Sequence, residues 1–167
     1  MPSGPILIGY DGSPAADNAI REAADLLRGR PALVMTVWKE GLGFELLELP
    51  TATIGLPPAQ IDIASALEIE RSLAEGAERA AQHGAELARL SGFAESQALV
   101  VADEIHVPVA DTIVRVARER GAPAIVVGAH GHGRVPLLGS TSRDVLRRAP
   151  CPVVVVRHEE TERGEDD

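Results

Sequence analysis

The chain has 167 residues, with 16 basic and 25 acidic side chains, and a formal net charge of −9. That length fits one domain with a sizeable core, and the acidity argues against a nucleic-acid partner, which needs a cationic face. Cys151 is the only cysteine, which excludes an intramolecular disulfide and a cysteine metal cluster.

Ile6 to Tyr10 is a short apolar run and the first predicted strand. Asp11-Gly12-Ser13-Pro14 breaks it, with Ser13 as a plausible N-cap and Pro14 suited to the first helical position. Ala16, Ile20, Ala23, Ala24 and Leu27 follow at helical spacing until Gly29. Ala32 to Trp38 reads as the second strand. Residues 39–60 mix Gly41, Gly43, Pro50, Pro57 and Pro58 with Phe44, Leu46, Leu47, Leu49, Ile54 and Leu56. A long loop packing its own leucines onto the surface is the expectation there; a lid or subunit contact is the alternative.

Ile61 to Leu90 is helical in pattern, and Gly76 and Gly84 predict a bend or break. Ala98 to Ala102 forms the third strand. A helix starts at Pro108, runs through Ile113, Val116 and Ala117, and ends at Gly121. Ala124 to Val127 is the fourth strand, Ser140 to Arg148 a helix and Val153 to Arg157 the fifth strand. After His158 the chain is strongly acidic, so residues 158–167 are expected to form a solvated, disordered tail. No stretch approaches the ~20 apolar residues of a membrane helix, and MPSGPILIGYDGS lacks a secretory pattern. The expected location is the cytoplasm, with no membrane partner.

Strands alternating with helices predict one α/β domain over residues 1–157. Its architecture is a single doubly wound, five-stranded parallel sheet with helices on both faces, a Rossmann-like fold. An aromatic content of only 2% agrees, because cores of Ala, Val, Leu and Ile suit such sheets. Ligands of these sheets sit beyond the carboxyl ends of the strands, where the strand order reverses. If strands one and four are neighbours there, Asp11 and the loop after Gly128 face each other across one crevice.

The segment from Ala124 to Arg157 carries the chemistry. A strand ends in a loop holding Gly128, Gly131 and Gly133, and Gly139, Ser140, Thr141 and Ser142 then open a helix. Glycine permits close approach of an anion, and a helix start supplies N–H groups with a partial positive charge. The segment lacks the Gly-Lys-Ser/Thr of a Walker loop, and no Gly-x-Gly-x-x-Gly follows the first strand. Asp11, at the end of strand one, suits a ribose hydroxyl or a phosphate-bound divalent ion; the plainer alternative is a turn or cap aspartate. His130 and His132 lack a third ligand cluster, so no metal site is expected and their main chain is the better candidate for ligand contact. Cys151 reads as a small buried hydrophobe. No nucleophile triad or carboxylate pair can be assembled, and no catalytic residue is assigned.

ILIGYDGS, VMTVW, AIVVGAHGHG and LLGSTSRDVLRRAPCPVVVVR together resemble the universal stress protein family, over nearly the whole chain. The resemblance implies an adenine-nucleotide α-hydrolase-like fold. In the family's ATP-binding branch a Gly-x2-Gly-x9-Gly-Ser/Thr motif holds the phosphates and ribose. Gly128-x2-Gly131 and Gly139-Ser140 match, but only seven residues separate Gly131 from Gly139. Two missing residues remove up to about 7 Å of extended reach.

By resemblance the ligand is ATP, ADP or AMP, with or without Mg2+ or Mn2+. Asp11 would meet the ribose or metal side, and Val37 would hold adenine through its main chain. Gly128, His130, Gly131, Gly139, Ser140, Thr141 and Ser142 would line the phosphates. The implied role is a non-enzymatic stress or signalling protein, at most a slow ATP hydrolase, whose nucleotide sets its conformation or partner surface. A homodimer through the last strand is implied as well. The alternative is a dimeric interaction module of the same fold that binds no nucleotide. An adenylating enzyme is disfavoured, because Asp11-Gly12-Ser13-Pro14 does not match the Ser-Gly-Gly-x-Asp-Ser loop of that chemistry.

Overall fold

The computed structural model describes residues 3–48, 62–129 and 138–157. β1 (Ile6–Gly9) is a run of apolar residues closed by glycine, and Ile6, Leu7 and Ile8 are buried on both faces of the sheet. It pairs in parallel with β2 (Ala32–Glu40) on one side and β4 (Ile125–Gly128) on the other. β3 (Ser96–Glu104) extends the sheet beyond β2, and β5 (Val153–Val156) extends it beyond β4. The order is β3-β2-β1-β4-β5, all parallel, so strands one and four are neighbours as the crevice argument requires.

Two apolar layers follow from the alternation of side chains along these strands. Ile6, Ile8, Val34 and Val126 face α1 (Pro14–Leu27) and the long helix, which contribute Ile20, Ala23, Ala85 and Ala88. Leu7, Leu33, Met35 and Val127 face α4 (Val109–Glu119) and α5 (Ser140–Arg148), through Ile113, Val116 and Val145. Helices therefore cover both faces, the doubly wound arrangement expected. α1 begins where predicted: Ser13 Oγ accepts from Ala16 N–H at 3.1 Å, and Pro14 occupies the first turn.

The segment 39–60 is not loop throughout. β2 continues to Glu40, and α2 occupies Leu42–Glu48. Gly41 and Gly43 suggested a break, yet their amides donate to the Glu70 carboxylate at 3.1 and 2.7 Å, which caps α2 from another helix. Gly43 is also needed for contact, since a Cβ there would lie 2.4 Å from Ala66 O. The lid or subunit role weighed for this segment concerns mainly residues 49–61, which lie outside the described residues.

α3 (Ile63–Ser91) is one uninterrupted helix of 29 residues, so neither Gly76 nor Gly84 breaks it. Gly84 serves packing instead: a Cβ there would meet Val34 Cγ1 at 2.8 Å and Tyr10 Cδ1 at 2.9 Å. Asp62 caps the helix start by accepting from Ser65 N–H, and Gly92, at φ 118°, ends it in the left-handed region. Among the described residues, no helix is long and apolar enough to cross a membrane. The acidic tail after Arg157 lies outside the described residues.

Candidate functional site

β1 and β4 lie side by side, but their chains leave the sheet toward opposite faces, β1 into α1 and β4 into α5. The gap left at their carboxyl ends is a cavity of about 370 Å³. Asp11, Val37, Gly128, Gly139, Ser140, Thr141 and Ser142 all border it. The remaining predicted residues, His130 and Gly131, fall outside the described residues, as does His132.

Asp11 is exposed at the rim, and its Oδ1 accepts from Ser13 N–H at 2.9 Å. Gly12 lies between them at φ 78°, a conformation that glycine tolerates at no steric cost. Asp11 is thus a turn residue, as the plainer reading held, and a carboxylate on the cavity as well.

Val37 reaches the cavity through the geometry of β2. Tyr10 N–H donates to Met35 O at 2.9 Å, so the main-chain groups of Met35 face β1. Orientation repeats every second residue, which puts the N–H and C=O of Val37 on the same side. The last β1 pairing is Gly9 with Met35, so those groups lie beyond the end of β1, beside the cavity. They form a donor and acceptor pair above an apolar floor of Met35, Val109, Ile113 and Val127.

The opposite wall is the start of α5. Gly139 N–H donates to Ala129 O at 2.8 Å, and Ser142 Oγ donates to Gly128 O at 2.6 Å. These bonds clip the first turn of α5 to the end of β4. Gly139 fits closely, since a Cβ would lie 3.4 Å from Ala129 O. The amides of Ser140, Thr141 and Ser142 belong to the first helical turn, have no intrahelical acceptor, and carry the positive end of the helix dipole.

Several cavity residues escaped sequence reasoning. Tyr10 reads in sequence only as the end of the first strand, yet its hydroxyl donates to Asp17 Oδ1 at 2.5 Å. Burial, followed by that bond, pushes the phenol well above its ordinary value, so it remains a donor. Met35 and Val37 share one face of β2, and Val109 and Ile113 stand four apart on α4. Those spacings were visible, but nothing in them told a cavity floor from ordinary core. Cys151 lies two residues before β5 and is half-buried rather than the buried hydrophobe expected; it packs against the core, and burial raises its thiol pKa.

The universal stress protein family model matches residues 3–157. The chain belongs to the universal stress protein family. The universal stress protein Rv2005c of Mycobacterium tuberculosis is 32% identical over 157 residues, covering 92% of this chain and 45% of the relative. This universal stress protein domain spans about half the length of the curated relatives it matches. Among solved structures, UspA of Lactobacillus plantarum shows the same fold, with a TM-score of 0.68 at 22% identity, covering 93% of this chain and 98% of that one. A universal stress protein of Archaeoglobus fulgidus in complex with dAMP is 25% identical, with a TM-score of 0.55 and coverage of 93% and 98%.

Proposed function

We propose that this domain binds an adenine nucleotide (ATP, ADP or AMP) in the cavity at the ends of β1 and β4. One observation carries the reading. A single cavity brings together a main-chain donor and acceptor at Val37, a carboxylate at Asp11 and the first-turn amides of α5. Those three suit, in turn, the hydrogen-bonding edge of adenine, a ribose hydroxyl and a phosphate. The dAMP held by the Archaeoglobus fulgidus relative supports the same ligand class. His130 and Gly131 join the phosphate side in this reading, and Mg2+ or Mn2+ would accompany a polyphosphate. The domain acts as a binding protein in stress response or signalling, its nucleotide stabilising one conformation or partner surface, rather than as an enzyme.

The spacing of seven residues between Gly131 and Gly139 bears on how many phosphates are held. Calorimetric titration with ATP, ADP and AMP, with and without Mg2+, is the direct test. Heat with at least one of them supports the reading; no heat with any, up to millimolar, sinks it.

A second reading concerns assembly, and the last strand favours it. β5 is an edge strand, and Pro152 O and Val156 O accept from Ile125 and Ala129 on its β4 side. By alternation the main-chain groups of Val153 and Val155 point to the open side. An edge of four half-buried valines is a template for a second copy of the strand. Light scattering at micromolar concentration should then give a dimer; a monomer would count against this pairing.

A further inference from the structure

Tyr10 immediately precedes Asp11 where β1 leaves the sheet, and its side chain is 5% exposed. Its N–H holds β2 through Met35 O, and its hydroxyl holds the first turn of α1 through Asp17 Oδ1. The two bonds bracket the turn formed by Asp11, Gly12 and Ser13. Inside that bracket the turn is exposed at Asp11 and Gly12, with Gly12 in the left-handed region at φ 78°. The ring is seated by an absence: the missing side chain of Gly84, where a Cβ would approach Tyr10 Cδ1 to 2.9 Å. His83, beside it on α3, has Nε2 3.8 Å from Asp17 Oδ1 and its ring 6.4 Å from that of Tyr10.

We infer that the Tyr10–Asp17 hydrogen bond is a positioning latch for Asp11. It fixes how the carboxylate meets the cavity, and so sets the preference for a ribose over a sugar without hydroxyls. The inference rests on the nucleotide reading above and deepens it. A carboxylate on a glycine-containing turn must be ordered before it reads a hydroxyl, and ordering it on binding costs affinity. A turn pinned at both ends has that order already. Tyr10 touches no ribose in this account; it acts through Asp11.

The test compares AMP with 2′,3′-dideoxy-AMP by calorimetry, in the unaltered protein, Tyr10→Phe and Asp17→Ala. Tyr10→Phe keeps the ring in its seat and removes only the hydroxyl. The unaltered protein should prefer AMP by about tenfold, the scale of one hydrogen bond to a charged group. Both variants should reduce that preference below about threefold, while affinity for the dideoxy nucleotide stays within about twofold. A merely structural bond would weaken both nucleotides alike, or lower the melting temperature with the preference intact; either result overturns the latch. Equal binding of the two nucleotides by the unaltered protein overturns it too, but leaves adenine binding standing. Binding of neither removes the nucleotide reading and the latch with it. If Tyr10→Phe does not fold, Asp17→Ala decides from the other end.

Discussion

Ser142 Oγ donates to Gly128 O at 2.6 Å and joins two cavity walls with one side-chain hydrogen bond. Ser142 is 4% exposed, whereas its acceptor Gly128 is half-buried on the cavity, so water can take over that carbonyl when the hydroxyl is removed. Ser142→Ala should cost about 0.5–1.5 kcal/mol of stability, the net worth of one such hydrogen bond. It should also weaken AMP binding, because the first turn of α5 loses its tie to β4. Urea denaturation and nucleotide titration of the same variant check both; unchanged values in both would show the bond to be idle.

Gly84 and Gly76 lie in the same helix and should respond oppositely to alanine. At Gly84 a Cβ meets Val34 Cγ1 at 2.8 Å, and overpacking of that kind costs about 1–3 kcal/mol. At Gly76 the nearest atom is the end of Arg79, 4.0 Å away, so the higher helix propensity of alanine should raise stability by about 0.5–1 kcal/mol. Denaturation midpoints of the two variants should move in opposite directions.

Much of the fold was legible because periodicity and punctuation agreed. Ser13-Pro14 began α1 as expected, and five β-branched or apolar runs became five strands. Seven proposed site residues, Asp11 and Val37 among them, border one cavity because Asp11, Val37 and Gly128 lie at or beyond neighbouring strand ends. What stayed hidden depends on partners distant in sequence. α2 looked like loop because its cap is Glu70, 27 residues beyond Gly43. Gly84 looked like a helix breaker because its use lies in the rings and methyls of other elements. The role of Tyr10 required knowing that Asp17 faces back toward the end of β1.

The two sides of β5 give a paired test of assembly. Val155→Pro removes an N–H on the open side, where an edge strand tolerates proline, so it should abolish dimers with only a small loss of stability. Val154→Pro removes an N–H on the β4 side and should cost about 1–3 kcal/mol from the broken ladder. Light scattering and thermal melts separate the outcomes. A Val155→Pro variant that remains dimeric would exclude pairing through this strand.

Asp62 titrates below the usual carboxylate value because it accepts hydrogen bonds from Ser65 at the start of α3. A depressed folded value means its contribution is present above the unfolded pKa of about 3.9 and is lost as pH falls through the folded one. The melting-temperature gap between the unaltered protein and Asp62→Ala should be constant above about pH 5 and narrow below about pH 4. A gap independent of pH down to the acid limit would remove the charge from the explanation.

The capping of α2 by Glu70 has a consequence for the order in which the chain comes apart. A helix of seven residues is too short to persist alone, and this one takes its first-turn acceptor from α3. Its helicity is therefore borrowed. The amides of Leu42–Glu48 should exchange with solvent whenever α2 lifts from α3, long before the sheet opens. α2 thus loosens ahead of the sheet, and it stays folded only while docked on α3.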